Sequence, residues 1–123
     1  MILVDTSIWI DHLRGRDAAL AGLLDAGEVL SHPFVIGELA LGNLRQREAV
    51  VADLQELPRA FVASDDEVVH FIHREGLFGI GIGYLDAHLL AATRLTQGAS
   101  LWTRDKHLLA AAERLSLATR VAH

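Results

Sequence analysis

The chain has 123 residues, 51% of them apolar, with 16 acids against 11 Lys and Arg and a net charge of −5. That is the length of one domain, residues 1–123, with material for one core, and the lack of cysteine excludes disulfides, thiolate metal sites and thiol nucleophiles. The acidic balance argues against a broad phosphate-gripping face, although every cation except Lys106 is arginine, the side chain suited to bidentate phosphate contacts.

The opening Met1-Ile2-Leu3-Val4-Asp5 has no basic region before its apolar run, and Asp5 ends that run too early for a signal peptide. The charge-free stretches 76–85 and 87–93 fall short of the roughly 18 residues that a membrane span needs. The expectation is a cytoplasmic protein with no membrane partner. A mean hydropathy of +0.29 further suggests that a partner covers some apolar surface.

In chain order, Ile2-Leu3-Val4 reads as a buried strand, followed by a helix through Trp9 and Leu13 with Thr6 and Ser7 as caps. Residues 18–26 predict a second helix closed by Gly27, and Val29-Leu30 a second strand. Pro33 sits at a helix start that carries Phe34, Glu38 and Leu41. Residues 47–57 predict another helix, stopped by Pro58. A short strand follows at 60–62, then a helix capped by Asp65 that ends at Gly76. Gly76, Gly79, Gly81 and Gly83 mark a loop. Residues 84–95 form a helix apolar almost all round and hence buried. Leu101-Trp102-Thr103 is a strand, 106–115 a helix, and 119–121 a last short strand. This alternation predicts an α/β fold, a three-layer α/β/α sandwich on a mainly parallel sheet of four or five strands.

Four acids stand in awkward places. Asp5 lies at the carboxyl end of the first strand, where open α/β sheets bind ligands, and is also where a helix cap would sit. Glu38 shares a helical face with Phe34 and Leu41, a costly place for a charge unless it is paired or bound to a metal. Asp86 falls in the first turn of the apolar helix, where the dipole favours an anion. Asp105 follows the strand at 101–103 and also reads as a cap. In a doubly wound sheet, strand ends and helix opening turns converge on one edge. Four ionised carboxylates there would raise one another's pKa, and an oxygen-only ligand set selects Mg²⁺ or Mn²⁺. Such a site can activate water at a phosphodiester.

Val4-Asp5-Thr6-Ser7, Gly37-Glu38-Leu39-Ala40, Gly81-Ile82-Gly83-Tyr84-Leu85-Asp86-Ala87-His88-Leu89-Leu90 and Leu101-Trp102-Thr103-Arg104-Asp105 resemble the four acidic motifs of the PIN domain. They are most similar to the VapC-type toxins of bacterial toxin–antitoxin pairs. The resemblance implies Mg²⁺- or Mn²⁺-dependent endonucleolytic cleavage of RNA, commonly tRNA or ribosomal RNA. It implies a VapB-type antitoxin that inserts a segment into the active-site groove, a homodimer, and DNA contact only through the antitoxin. Asp5, Glu38, Asp86 and Asp105 match the acidic positions and form the metal set, with Asp5 and Asp86 as main ligands, Asp105 direct or water-bridged, and Glu38 holding a metal-bound water and acting as base. Thr6 and Thr103 match positions where a hydroxyl supports the site.

Other features carry less. Gly79-Ile80-Gly81-Ile82-Gly83 lacks the spacing of a dinucleotide loop. His70 and His73 lack a third ligand, and His88 and His107 stand beside acids as candidate substrate contacts. Arg14, Arg16, Arg45 and Arg47 can track phosphates, but Arg104 and Lys106, flanking Asp105, are the better RNA-binding candidates. The rival function is a Mg²⁺-binding phospho-acceptor domain of the receiver type. It expects an acidic pair after the first strand, where only Asp5 stands.

Overall fold

The computed structural model describes residues 1–120. Three parallel strands, β1 (Ile2–Val4), β2 (Val29–Leu30) and β3 (Ser100–Trp102), pair in the order β2-β1-β3. The register sets Ile2 against Val29 and Ser100, and Val4 against Trp102. Seven helices accompany them among the described residues: α1 (Thr6–Gly15), α2 (Ala18–Asp25), α3 (Pro33–Leu41), α4 (Arg47–Gln55), α5 (Asp65–Glu75), α6 (Tyr84–Leu95) and α7 (Lys106–Arg114). No helix among the described residues is long and apolar enough to cross a membrane.

The strands are apolar on both faces because helices cover both, as a parallel sheet requires. Leu3, Val4, Val29, Leu30, Leu101 and Trp102 are buried against Ile8, Leu20, Val35, Leu39, Leu89, Leu90 and Leu108. α6 is buried continuously from Ala87 to Thr93, while its first-turn residues Tyr84 and Leu85 reach the surface.

The predicted α/β architecture is present, with differences at its margins. In place of a strand at 60–62 there is a single parallel bridge between Ser31 and Arg59, on the outer side of β2. In place of one at 119–121 there is a single bridge between Leu101 and Ala118, outside β3; Val121 lies outside the described residues. Each is one rung of backbone bonding, too short to count as a strand. α5 is capped by Ser64, which exchanges hydrogen bonds with Glu67, and Asp65 is the first helical residue. Glu38 lies beyond the opening turn of α3. The buried stripe of that helix is Val35, Ile36 and Leu39, while Glu38 and Leu41 are exposed. Its charge therefore stands at a wet edge rather than on an apolar stripe.

The strand order positions the site. The chain leaves the carboxyl end of the central strand β1, and its two neighbours, β2 and β3, lie on opposite sides. The crevice at such a reversal is where open α/β sheets place ligands. Asp5 follows β1 directly, and Thr103 and Asp105 follow β3.

Candidate active site

Asp5 is 7% exposed and occupies the N-cap of α1, yet its side chain makes no capping bond. The carboxylate turns instead to two hydroxyls. Thr103 Oγ1 donates to Asp5 Oδ2 at 2.7 Å and Ser7 Oγ donates to the same oxygen at 2.9 Å. Each hydroxyl is itself held by backbone: Thr103 Oγ1 accepts from the Asp105 N–H at 3.1 Å, and Ser7 Oγ accepts from the Arg104 N–H at 3.2 Å. The ends of β1 and β3 are thus locked around one carboxylate, because hydrogen bonds to an ionised acceptor are stronger than neutral ones.

Asp105 caps α7, accepting from the Leu108 N–H at 2.9 Å. Asp86 accepts from the Gly83 N–H at 3.1 Å at the start of α6. Burial pushes the Asp86 carboxyl above its ordinary range; the Gly83 bond opposes that, and the charges of Asp5 and Asp105 add to it. Asp86 thus feels the charges of both Asp5, at the end of β1, and Asp105, after β3. Glu38 joins from α3, where its Oε1 accepts from Thr6 Oγ1 at 2.8 Å.

Each of the four carboxylates therefore commits one oxygen to a protein donor. The other oxygen, Oδ1 of Asp5 and Asp86, Oδ2 of Asp105 and Oε2 of Glu38, accepts no hydrogen bond among the described residues. As placed, no three of them form a closed metal-binding group among those residues. The donor set still suits a hard divalent cation, since every ligand on offer is a carboxylate oxygen.

Ser7 is a supporting residue that sequence reasoning read only as a helix cap. The exposed Arg104 guanidinium pairs with Asp11 and with Asp17, the latter at 2.7 Å. Lys106 stays exposed, with no ion pair among the described residues. His88 is corrected, from candidate substrate contact to core. It is 1% exposed, and its Nε2 lies 3.2 Å from Asp65 Oδ1, which Tyr84 also holds at 2.9 Å. His70 and His73 lie on the exposed face of α5. His107 stands against Gly81, where φ is +87° and an added Cβ would come within 3.0 Å of the imidazole.

Residues 2–114 match the family model described as the PIN domain. The chain is 51% identical over 111 residues to Ribonuclease VapC32 from two strains of Mycobacterium tuberculosis, covering 90% of each protein. Its fold is similar to the crystal structure of FitAcB from Neisseria gonorrhoeae, with a TM-score of 0.60, 20% identity, and coverage of 92% of this chain and 94% of the other. The order of the acidic motifs, the lock of Asp5 between the ends of β1 and β3 and the match across nearly the whole chain place this protein in the PIN domain family.

Proposed function

We propose that this chain is a divalent-metal-dependent endoribonuclease of the VapC type, acting on structured RNA such as tRNA or ribosomal RNA. The observation that carries the proposal is the set of four carboxylates, each with one oxygen uncommitted, at the sheet's switch point. The ribonuclease relative supports the substrate class.

Asp5, Asp86 and Asp105 would hold Mg²⁺ or Mn²⁺, with Glu38 completing the rim. Such an ion supplies charge stabilisation to the phosphoryl oxygens during an in-line displacement. The chain's own residues do the rest. Ser7 and Thr103 fix the Asp5 carboxylate, and Thr6 orients Glu38. Glu38 takes the proton of the attacking water, whose oxygen bonds to phosphorus as the bond to the bridging ribose oxygen breaks and that oxygen takes a proton from solvent water.

The partners follow from the same reading: a VapB-type antitoxin whose segment enters the acid edge, a homodimer, and contact with DNA through the antitoxin alone. Exposed Leu41 (90%) and Phe78 (67%) supply apolar surface for such partners. The receiver reading has no comparable support, because the positions after Asp5 are Thr6 and Ser7, and both hydroxyls are spent orienting carboxylates.

The test is incubation of the purified chain with tRNA and ribosomal RNA, with Mg²⁺ or Mn²⁺ and with EDTA. Discrete fragments that vanish on chelation are expected. Intact RNA under all conditions, or fragments indifferent to EDTA, would sink the proposal. Co-purification with the product of an adjacent small reading frame tests the antitoxin.

A further inference from the structure

An RNA strand approaching four carboxylates needs cations to hold it, because phosphates supply most of the affinity of nucleic-acid binding and acids repel them. The arginine nearest the acid edge in sequence, Arg104, is neutralised by Asp11 and Asp17. The structure offers a different pair. A groove of about 510 Å³ runs between α1 and the turn after α3. Ile10, Leu39 and Leu44 line it, Glu38 stands in its wall, and Arg14 and Arg45 border it. Both arginines are exposed, and neither has an ion pair among the described residues. Glu38 therefore belongs both to the groove and to the acid set, and the two arginines give the groove positive charge.

Resting on the ribonuclease reading above, we infer that this groove is the subsite for the RNA strand on one side of the cleaved phosphate, with Arg14 and Arg45 contacting its phosphates. The chemistry matches a single strand. Two guanidinium groups meet successive phosphates, while the apolar lining takes ribose and base faces that a duplex would keep stacked inside. The volume falls within the range of small-ligand clefts, roughly 300–1,000 Å³, which suits a few nucleotides rather than a helix. The remaining acidic surface then acts against RNA lying elsewhere, so a net charge of −5 becomes compatible with substrate binding.

The experiment is steady-state cleavage of a labelled RNA with Mg²⁺ or Mn²⁺ at several salt concentrations. It compares the unsubstituted chain with Arg14→Ala/Arg45→Ala, and with Arg74→Ala/Arg120→Ala as an equal charge change outside the groove. The groove pair is expected to raise KM about tenfold with kcat nearly unchanged. Losing two phosphate contacts should also flatten the salt dependence of kcat/KM by about 1.4 in log–log slope, at about 0.7 per contact on a single strand. The outside pair should change KM less than about twofold. Arg14→Lys/Arg45→Lys keeps the charge and should restore most of the salt slope, which separates lost charge from a damaged fold. Equal KM and equal slope in both alanine pairs would overturn the groove assignment while leaving the ribonuclease reading intact. So would a groove variant that cleaves normally but no longer binds its antitoxin, which would make the groove a protein-docking surface. A chain that cleaves no RNA at all would overturn both.

Discussion

Helices α3 and α6 each carry one acid of the active edge and, nearby, one buried histidine, and the molecule treats these two pairs in opposite ways. His32, at the N-cap of α3, and His88, on α6, are 0% and 1% exposed, with ring centroids 6.5 Å apart. Burial, with His88 and Arg59 adding to it, lowers the His32 pKa to about 4, so the ring is neutral near pH 7. Its Nδ1 accepts from the Phe34 N–H at 3.1 Å. Neutrality relieves the cost of burying it. Asp86 is pushed the other way, towards holding its proton, and no cation among the described residues offsets the charges of Asp5 and Asp105 that it meets. His32 Nε2 and His88 Nδ1 stay buried without a hydrogen-bond partner, so the rings shed charge rather than all polar cost, whereas charge coupled and left uncompensated marks a functional site.

The largest effect should follow from the acids. Asp5→Asn keeps shape but removes a charge, and several kcal/mol of lost charge stabilisation would lower RNA cleavage by about three orders of magnitude. Cleavage within tenfold of the unsubstituted chain would break the contrast at its functional end.

The next effect belongs to the histidines. Because the folded pKa of His32 lies below its unfolded value of 6.5, the unfolded chain binds the extra proton first. Stability is full above about pH 6.5 and is lost as pH falls towards 4, by on the order of 2–3 kcal/mol. His32→Asn can still accept the Phe34 N–H as an N-cap but does not titrate. Urea unfolding at pH 7.5 and 4.5 should therefore show a smaller acid loss in the variant. Equal losses would mean that His32 does not set the acid limit.

Much of this contrast was legible in the sequence, and the part that was not has a common cause. Residues 84–95 are legible as α6 with the bounds the structure has, because Gly83 precedes a Leu- and Ala-rich stretch with no Gly or Pro before Gly98. Asp5, Asp86 and Asp105 were legible because strand ends and helix starts are local features. The outer rungs at Arg59 and Ala118 were misplaced by a residue or more, since one bridge leaves no alternation to detect. Thr103 entered the site through resemblance, and its bond to Asp5 crosses 98 positions. The pairing of Arg104 is not legible in the sequence, because its partners lie 93 and 87 positions away. Periodicity reports which face is buried, not which distant carboxylate waits there.

A smaller effect sharpens the acid side. Thr103 is buried and bonds both Asp5 and the Asp105 N–H. Thr103→Val preserves the shape, leaves the Asp105 N–H without a partner and leaves Asp5 with Ser7 alone, at about 1–3 kcal/mol in stability. Ser7 still holds Asp5, so cleavage should fall only about tenfold. A loss as deep as that of Asp5→Asn would show that the hydroxyl does more than orient the carboxylate.

The smallest effect has an unusual sign. The folded pKa of Asp86 is raised above its unfolded value, so the folded chain holds the proton more tightly and stability falls as pH rises through that interval. Near neutrality the ionised carboxylate is a cost to the metal-free fold. Asp86→Asn removes the charge, and its amide oxygen can still accept from Gly83. With EDTA present the variant should therefore melt a few degrees above the unsubstituted chain, even though it cannot cleave RNA. Adding Mn²⁺ should raise the midpoint of the unsubstituted chain and leave the variant nearly unmoved, because an ion that binds only the folded state stabilises it by mass action. If the variant melts lower in EDTA, Asp86 is a helix-start residue first and the electrostatic contrast with His32 does not hold. If Mn²⁺ stabilises both equally, the ion binds elsewhere, and Asp86 is not among its ligands.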